Sequence, residues 1–185
     1  TLTSATDTKE YDGTPLTNGE VTVGGDGFAT GEGATYNVTG SQLIAGSSAN
    51  NFTYELNEGT KADNYRITQN PGTLTVTDRT TKYEITVKAN SNTDNTYDGT
   101  EKKAEGFETL TFTENGQTYT VSGLTTSDPA STDVTTKDNE ISGTAVVKDA
   151  AGNDVTSQFT VNTENGKLEI KKREVTLTSA TDTKE

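Results

Sequence analysis

Oxygen-bearing side chains are concentrated in one short stretch of the sequence, residues 149–154. The stretch reads Asp-Ala-Ala-Gly-Asn-Asp and places Asp149, Asn153 and Asp154 around a glycine. Hard oxygen donors of this kind suit Ca²⁺. The stretch lacks the ligand spacing and the distal glutamate of an EF-hand loop, and it also fits a hairpin turn. We expect a turn without metal or cofactor, with these three residues as the calcium ligands if an ion does bind.

Catalytic chemistry has few side chains to work with. The sequence contains no His and no Cys, so the commonest general base and the thiol nucleophile are both missing. Two carboxylates could run a glycosidase, but no such pair can be identified from spacing. No glycine-rich phosphate loop leads from a strand into a helix. We therefore expect no enzymatic activity and assign no catalytic residues.

A covalent brace between a lysine and an asparagine is a further chemical option, because the absence of Cys excludes disulfides. Lys9 lies two residues before Tyr11 and could supply the amine, with Asn64 or Asn162 as the acceptor. Asn is common here as a turn former, so the spacing does not single these residues out. An intact mass that shows no loss of ammonia would exclude the bond.

The sequence contains an exact internal repeat. The first ten residues, TLTSATDTKE, return unchanged at residues 176–185, which sets a period of 175 residues. A match of this length at a fixed spacing predicts a tandem array.

Each period contains two diverged copies of one domain. The motif Tyr11-Asp12-Gly13-Thr14 returns 86 residues later as Tyr97-Asp98-Gly99-Thr100. A closing pattern with Gly72 and Leu74 returns 94 residues later with Gly166 and Leu168, so the second copy carries a net insertion of 8 residues. We assign copy one to residues 1–79 and copy two to residues 80–173. Residues 174–185 begin the next repeat.

The Tyr-Asp-Gly-Thr motif is interpreted as a fixed turn. The glycine permits positive φ, the aspartate can cap nearby backbone amides, and the tyrosine ring can pack into a small core. Two occurrences at corresponding places favour a structural role over an active site.

Alternation of apolar and polar residues predicts strands throughout. Leu74 and Val76 alternate with threonines, and Leu168 and Ile170 alternate with charged residues. Asn115-Gly116 predicts a type I′ hairpin turn, and Pro71-Gly72 and Asn165-Gly166 are interpreted as turns as well. The only helical expectation is a short turn within residues 59–64. The fold class is therefore all-β, with two small, antiparallel, sandwich-like domains in an elongated chain and a β-grasp-like arrangement as the alternative.

At these motifs the chain resembles the MBG/YDG-type repeat domains of bacterial, often Gram-positive, cell-surface proteins. The resemblance rests on Tyr-Asp-Gly-Thr near the start of each copy, on the closing Gly-x-Leu-x-Val/Ile strand and on Asn64-Tyr65 before that strand. It covers both copies, although copy two has its insertion and Phe159 in place of Tyr65. It implies a non-catalytic, β-rich extracellular module that is repeated in tandem, at the cell surface or attached to the cell wall.

Charge limits the partners. The formal net charge is −13 and the basic residues are scattered, so we expect neither nucleic acid nor direct membrane contact. We expect the repeats to contact their neighbours in a monomeric rod that acts as a stalk. The alternative is an adhesin repeat that binds host glycan, mucin or matrix protein weakly and gains avidity from copy number. Its candidate sugar-stacking residues are Tyr36, Tyr54, Tyr83 and Tyr119.

The second occurrence of the decapeptide, residues 176–185, lacks the partners that residues 1–10 have in copy one. We expect it to be disordered, or to add as a strand to an open sheet edge of another molecule.

Overall fold

The computed structural model describes residues 1–185, and its regular secondary structure is almost entirely β-strand. The all-β expectation is confirmed. The strands are β1 (Leu2–Ser4), β2 (Asp7–Glu10), β3 (Val21–Val23), β4 (Ala34–Val38), β5 (Gly46–Asn50), β6 (Phe52–Leu56), β7 (Gln69–Asn70), β8 (Gly72–Thr77), β9 (Tyr83–Lys88), β10 (Asn92–Thr96), β11 (Lys102–Lys103), β12 (Thr111–Glu114), β13 (Gln117–Thr126), β14 (Ala130–Ser131), β15 (Thr135–Asn139), β16 (Ile141–Asp149), β17 (Phe159–Glu164) and β18 (Gly166–Lys171).

Helical structure is limited to two 3-10 turns, Ala62–Asn64 and Thr156–Gln158. The first lies inside the predicted helical turn at residues 59–64. Neither is long or apolar enough to cross a membrane as a helix.

The chain divides into two compact units. Unit 1 contains residues 1–83, 113–118 and 148–159, and unit 2 contains residues 84–112, 119–147 and 160–185. The boundary near residue 79 stays a prediction, because compact grouping of residues does not show that either copy folds alone.

Unit 1 is organised around β8, which lies between β2 and β5. β2 runs parallel to β8 with Asp7 opposite Leu74, and β5 runs antiparallel with Ser48 opposite Leu74. The alternation in β8 turns Gly72, Leu74 and Val76 inward. Two further sheets, β3-β1-β7 and β4-β6, complete the unit.

Unit 2 repeats the same central arrangement with β18. β10 pairs with it in parallel and β15 pairs with it antiparallel. Leu168 and Ile170 point inward and form a buried cluster with Ala104. Matching neighbours around β8 and β18 are expected for diverged copies of one fold. The other sheets are β17-β9, β11-β14 and β12-β13-β16. Some end residues of the β12-β13-β16 sheet, within residues 113–118 and 148–159, are assigned to unit 1.

Parallel pairing is the main topological feature that alternation did not predict. β1 with β7, β2 with β8 and β10 with β18 are all parallel. Parallel neighbours need a long crossover between them. The residue pattern of a half-buried strand is the same whichever way its neighbour runs.

The core is thin and partly polar. The sequence predicts a hydrophobic core that includes Leu2, Tyr11, Val23, Leu74, Val76 and Tyr97. Of these, Leu2, Tyr11, Leu74 and Val76 are at most 1% exposed. The prediction is wrong for Val23 and Tyr97, which are 43% and 38% exposed. Other residues that the sequence did not place in the core are buried: Leu16, Phe52, Ala89, Ala104, Tyr119 and Val155.

One of the predicted turns is confirmed by its backbone angles, and two are not. Asn115 and Gly116 have φ of 47° and 73°, as a type I′ turn requires. Gly72 and Gly166 were wrongly interpreted as turn glycines. Neither has positive φ, and each is the first residue of the central strand of its unit.

Candidate functional site

The Tyr-Asp-Gly-Thr motif forms the same turn in both copies. Gly13 and Gly99 have φ of 81° and 79°. The carboxylate Oδ1 of Asp12 accepts hydrogen bonds from Thr14 N at 2.8 Å and from Thr14 Oγ1 at 2.7 Å. Asp98 Oδ1 accepts the same pair from Thr100, at 2.9 and 2.6 Å. The aspartate therefore caps the turn, and its chemistry there is structural.

A lysine completes each turn, from opposite directions along the chain. Lys9 Nζ donates to Asp12 Oδ1 at 2.7 Å and to Thr14 O at 2.7 Å. In copy two the cation is Lys102, whose Nζ donates to Asp98 Oδ2 at 2.8 Å. The amine of Lys9, considered above for a covalent brace, is thus held inside the turn by Asp12 and Thr14. Neither lysine is part of the four-residue motif, so the motif alone does not reveal the ion pair.

The two tyrosines of the motif share a backbone bond but differ in burial. Tyr11 N donates to Thr77 O and Tyr97 N donates to Lys171 O, both at 2.9 Å. The Tyr11 side chain is 1% exposed and Tyr97 is 38% exposed. The motif fixes the turn, whereas the packing of the ring depends on the rest of the unit.

Charge and hydrogen bonds shift the titration of these carboxyls. Bonds from the Lys102 ammonium and then from Thr100 hold the pKa of Asp98 well below its usual 3.8. At Asp12, partial burial opposes the shift, but bonds from Lys9 and Thr14 outweigh it and lower the pKa. A carboxyl whose pKa is lower in the folded state stabilises the fold above its unfolded pKa of about 3.9. That contribution is lost as the pH falls through the folded pKa.

We expect the Asp98 carboxyl to titrate below 3.8 in the folded protein, with Lys102→Ala moving the midpoint upward because the main hydrogen bond is removed. Carboxyl ¹³C chemical shifts followed against pH measure this directly. Lys103→Ala is the matched control, because Lys103 pairs with Glu101 and Glu105 instead. A midpoint at the ordinary value, or one that Lys102→Ala leaves in place, would contradict the ion-paired turn.

A buried asparagine faces the glycine of the central strand in each unit. Asn50 lies opposite Gly72 and Asn139 opposite Gly166 in the strand registers. Both asparagines are 0% exposed. Asn50 Nδ2 donates to Ala5 O at 3.0 Å and to Asn18 O at 2.9 Å. Asn139 Nδ2 donates to Asn90 O at 3.1 Å, and its Oδ1 accepts from Asp128 N at 3.0 Å.

These glycines are required by close approach of another chain segment. A Cβ at Gly72 would lie 2.3 Å from Ala5 O, and one at Gly166 would lie 2.1 Å from Asn90 O. Leu74 and Leu168, two residues further along, are each 0% exposed. Together these residues anchor the start of each copy to its last strand.

The calcium candidates form the hairpin turn that was the alternative interpretation. Asp149 Oδ1 accepts from Ala151 N at 3.0 Å and from Asn153 N at 2.9 Å, and Asp149 Oδ2 accepts from Asn153 Nδ2 at 2.8 Å. Asp154 turns to a different set of donors, the amide and hydroxyl of Thr156, at 3.0 and 2.6 Å. The oxygens are therefore engaged by the turn itself, and the geometry does not bring the three side chains into one ligand shell.

The tyrosines proposed for sugar stacking lie in different surroundings. Tyr119 is 0% exposed and cannot meet a ligand. Tyr83 packs against Phe159 with centroids 5.6 Å apart, and the Arg79 guanidinium lies 3.9 Å from its ring centre. Tyr36 and Tyr54 are half-buried cross-strand neighbours on β4 and β6. The four rings do not form one patch.

A cleft in unit 1 was not anticipated from the sequence. It has a volume of about 490 Å³ and lies between residues 23–28 and residues 64–68, with Thr1 and Leu2 also in its wall. Phe28 and Tyr65 pack edge to face with centroids 5.1 Å apart. The Tyr65 hydroxyl donates to Glu32 and accepts from Ala29 N at 3.0 Å. The aromatic wall is therefore held in place by the protein's own contacts.

Comparison with protein-family models, with curated proteins and with solved structures gave no match for this chain.

Proposed function

We propose that the chain is a non-catalytic spacer repeat of a bacterial cell-surface protein, which projects a binding region away from the cell wall. The observation that carries the proposal is the return of the first ten residues after 175 positions. A domain-sized period indicates an array whose length increases with the number of repeats.

The residues that the two copies share have structural roles, which supports a spacer. The aspartates of the two motifs cap turns, and Gly72 and Gly166 admit another segment of backbone. Leu74 and Leu168 are fully buried. What the two copies share is therefore devoted to folding, as expected if selection acts on a stable module.

The acidity fits a surface-exposed array. A net charge of −13 over 185 residues gives like-charged repeats. Like charges on successive modules oppose self-association and favour solubility. The resemblance to MBG/YDG-type domains suggests the same extracellular setting.

The multivalent adhesin remains the second candidate, but the geometry favours it less. Of its proposed tyrosines, Tyr119 is buried and Tyr83 packs against Phe159 and Arg79. Tyr36 and Tyr54 form a half-buried cross-strand pair. We therefore give the spacer as the conclusion and include host-ligand binding as a separate arm of the test.

We expect the end-to-end length of arrays with one, two and three periods to increase by a constant step. With strands of roughly eight residues and their turns, each copy adds about 30 to 40 Å, so each period adds about 60 to 80 Å. Rotary-shadowed electron microscopy measures these lengths. Arrays that collapse into particles without a constant step would contradict the spacer.

The same arrays test the alternative. Binding of the one-period and three-period arrays to immobilised mucin, matrix proteins and a glycan array would show a steep rise with copy number for an adhesin. For a spacer we expect no binding by either. A strong rise together with a constant length step would identify a stalk that also binds its host.

A further inference from the structure

The segment that follows β8, residues 78–80, is bound on two sides within unit 1. On one side it meets the end of β2 and the residue after it. Arg79 Nη1 donates to Tyr11 O at 2.9 Å, and Thr80 donates to Glu10 Oε1 from its amide and, at 2.7 Å, from Oγ1. On the other side the segment meets Gln158, a residue of copy two.

The Gln158 side chain uses both ends of its amide in this contact. Its Oε1 accepts from Arg79 N at 2.9 Å, and its Nε2 donates to Asp78 Oδ1. Gln158 is 2% exposed, and a polar side chain is seldom so deeply buried unless its hydrogen bonds are satisfied. It ends the 3-10 turn Thr156–Gln158, whose first amide donates to Asp154 Oδ1 at 3.0 Å. A fixed turn therefore presents a buried amide to the segment after β8.

Aromatic and cation–π packing extends the contact beside Gln158. Phe159, the next residue, is 5% exposed and packs against Tyr83 with centroids 5.6 Å apart. The Arg79 guanidinium lies 3.9 Å from the centre of the Tyr83 ring and donates from Nη1 to the Tyr83 hydroxyl at 3.2 Å. Arg79 thus binds residues of copy one and of copy two at the same time.

The part of copy two that supplies Gln158 is longer than its counterpart in copy one. Asn50 lies 22 residues before Gly72, and Asn139 lies 27 residues before Gly166, so five of the eight added residues fall in this interval. Residues 148–159, which group with unit 1, lie inside the same interval. The interval that carries the added residues therefore also supplies the residues that fold with copy one.

We propose that copy one reaches its native stability only when the Thr156–Gln158 turn of copy two has folded against residues 78–80. These residues directly follow β8, the central strand of unit 1, so their position affects the end of that strand. Loss of the Gln158 side chain removes two hydrogen bonds, leaves the Arg79 amide without its acceptor and opens a cavity at a buried position. The inference does not depend on the spacer function, since it concerns folding within unit 1 and the array experiment measures length.

Native-state hydrogen exchange, followed residue by residue by NMR in the full chain, tests the coupling. Gln158→Ala should speed the exchange of the β8 amides by about tenfold or more. The β18 amides, in unit 2, should keep their rates. Gln69→Ala is the matched control, because it removes the same side chain from an exposed position of unit 1, and it should change neither set of rates. Unchanged exchange in β8, or an equal increase in β18, would overturn the proposal.

Substitutions at Asp78 test the same contact from its other side. Asp78→Asn keeps an acceptor oxygen for Gln158 Nε2, whereas Asp78→Leu does not. We expect Asp78→Leu to speed exchange in β8 more than Asp78→Asn does. In a chain that also carries Gln158→Ala the two variants should exchange alike, because the partner of Asp78 is gone. If the two variants exchange alike while Gln158 is present, or differ equally without it, the bond between Asp78 and Gln158 does not stabilise copy one and the proposal fails.

Discussion

Gly166→Ala should lower the free energy of unfolding by about 3 kcal/mol. The new Cβ would lie 2.1 Å from Asn90 O and 2.8 Å from Ala89 O, and both are backbone atoms that cannot rotate away. β18 is held between β10 and β15, so relief of the clash requires movement of a strand that is paired on both sides. Urea denaturation followed by far-ultraviolet circular dichroism measures the change.

Gly19→Ala is the control for this substitution. A Cβ at Gly19 meets nothing within 4 Å, and its φ is not positive. We expect its effect to stay within about 0.5 kcal/mol. If Gly166→Ala were equally mild, the close approach would not be the reason for glycine at that position.

Asn50→Asp should lower the free energy of unfolding by about 4 kcal/mol at pH 7. The substitution removes both N–H donors that bind Ala5 O and Asn18 O. It also places a carboxylate at a position that is 0% exposed and faces two carbonyl oxygens. Burial raises the pKa of such a carboxyl in the folded state.

The pH dependence of this variant has a definite sign. Because the folded pKa is raised, the penalty is largest above the folded pKa and decreases as the pH falls toward the unfolded value of about 3.9. We expect the stability difference from the unmodified chain to shrink between pH 7 and pH 4. Asn51→Asp, at the exposed neighbouring residue, should change stability by no more than about 0.5 kcal/mol at pH 7. Equal effects at positions 50 and 51 would contradict the buried hydrogen-bond network.

Local features of the fold could be predicted from the sequence where a few adjacent residues determine the geometry. Alternation gave Leu74 and Val76 as inward residues of one strand, and Asn115-Gly116 gave a turn with two positive φ values. The Asp-Gly-Thr turns follow in the same way, because the capping bonds join residues two apart.

Features that depend on contacts between distant segments of the chain could not be predicted from the sequence. Gly72 was expected in a turn, but its requirement comes from Ala5, 67 residues away along the chain. Asn50 and Asn139 were missed because a single Asn in a polar sequence is typical of turns. Asn50 lies 22 residues before Gly72 and Asn139 lies 27 residues before Gly166, so no common spacing marks the two asparagines as equivalent in the sequence. The cleft was missed because its two walls are more than 35 residues apart in sequence.

Tyr11 and Tyr97 show the same limit within one motif. Four identical residues produce the same turn, yet one ring is buried and the other is not. The free energy of burying a ring depends on the apolar surface that surrounds it, which the motif does not contain.

The parallel strand pairs have a consequence for tension. In copy one, β2 lies beside the last strand, β8, in parallel over four residue pairs, and in copy two β10 lies beside β18 in the same sense. When the two ends of a copy are pulled apart, the pull on parallel neighbours acts along the strands. The bridging hydrogen bonds then share the strain in shear and must fail together, whereas an antiparallel hairpin pulled from its open end would unzip one bond at a time. A copy whose strands pair in this parallel arrangement resists a pulling force applied to its two ends.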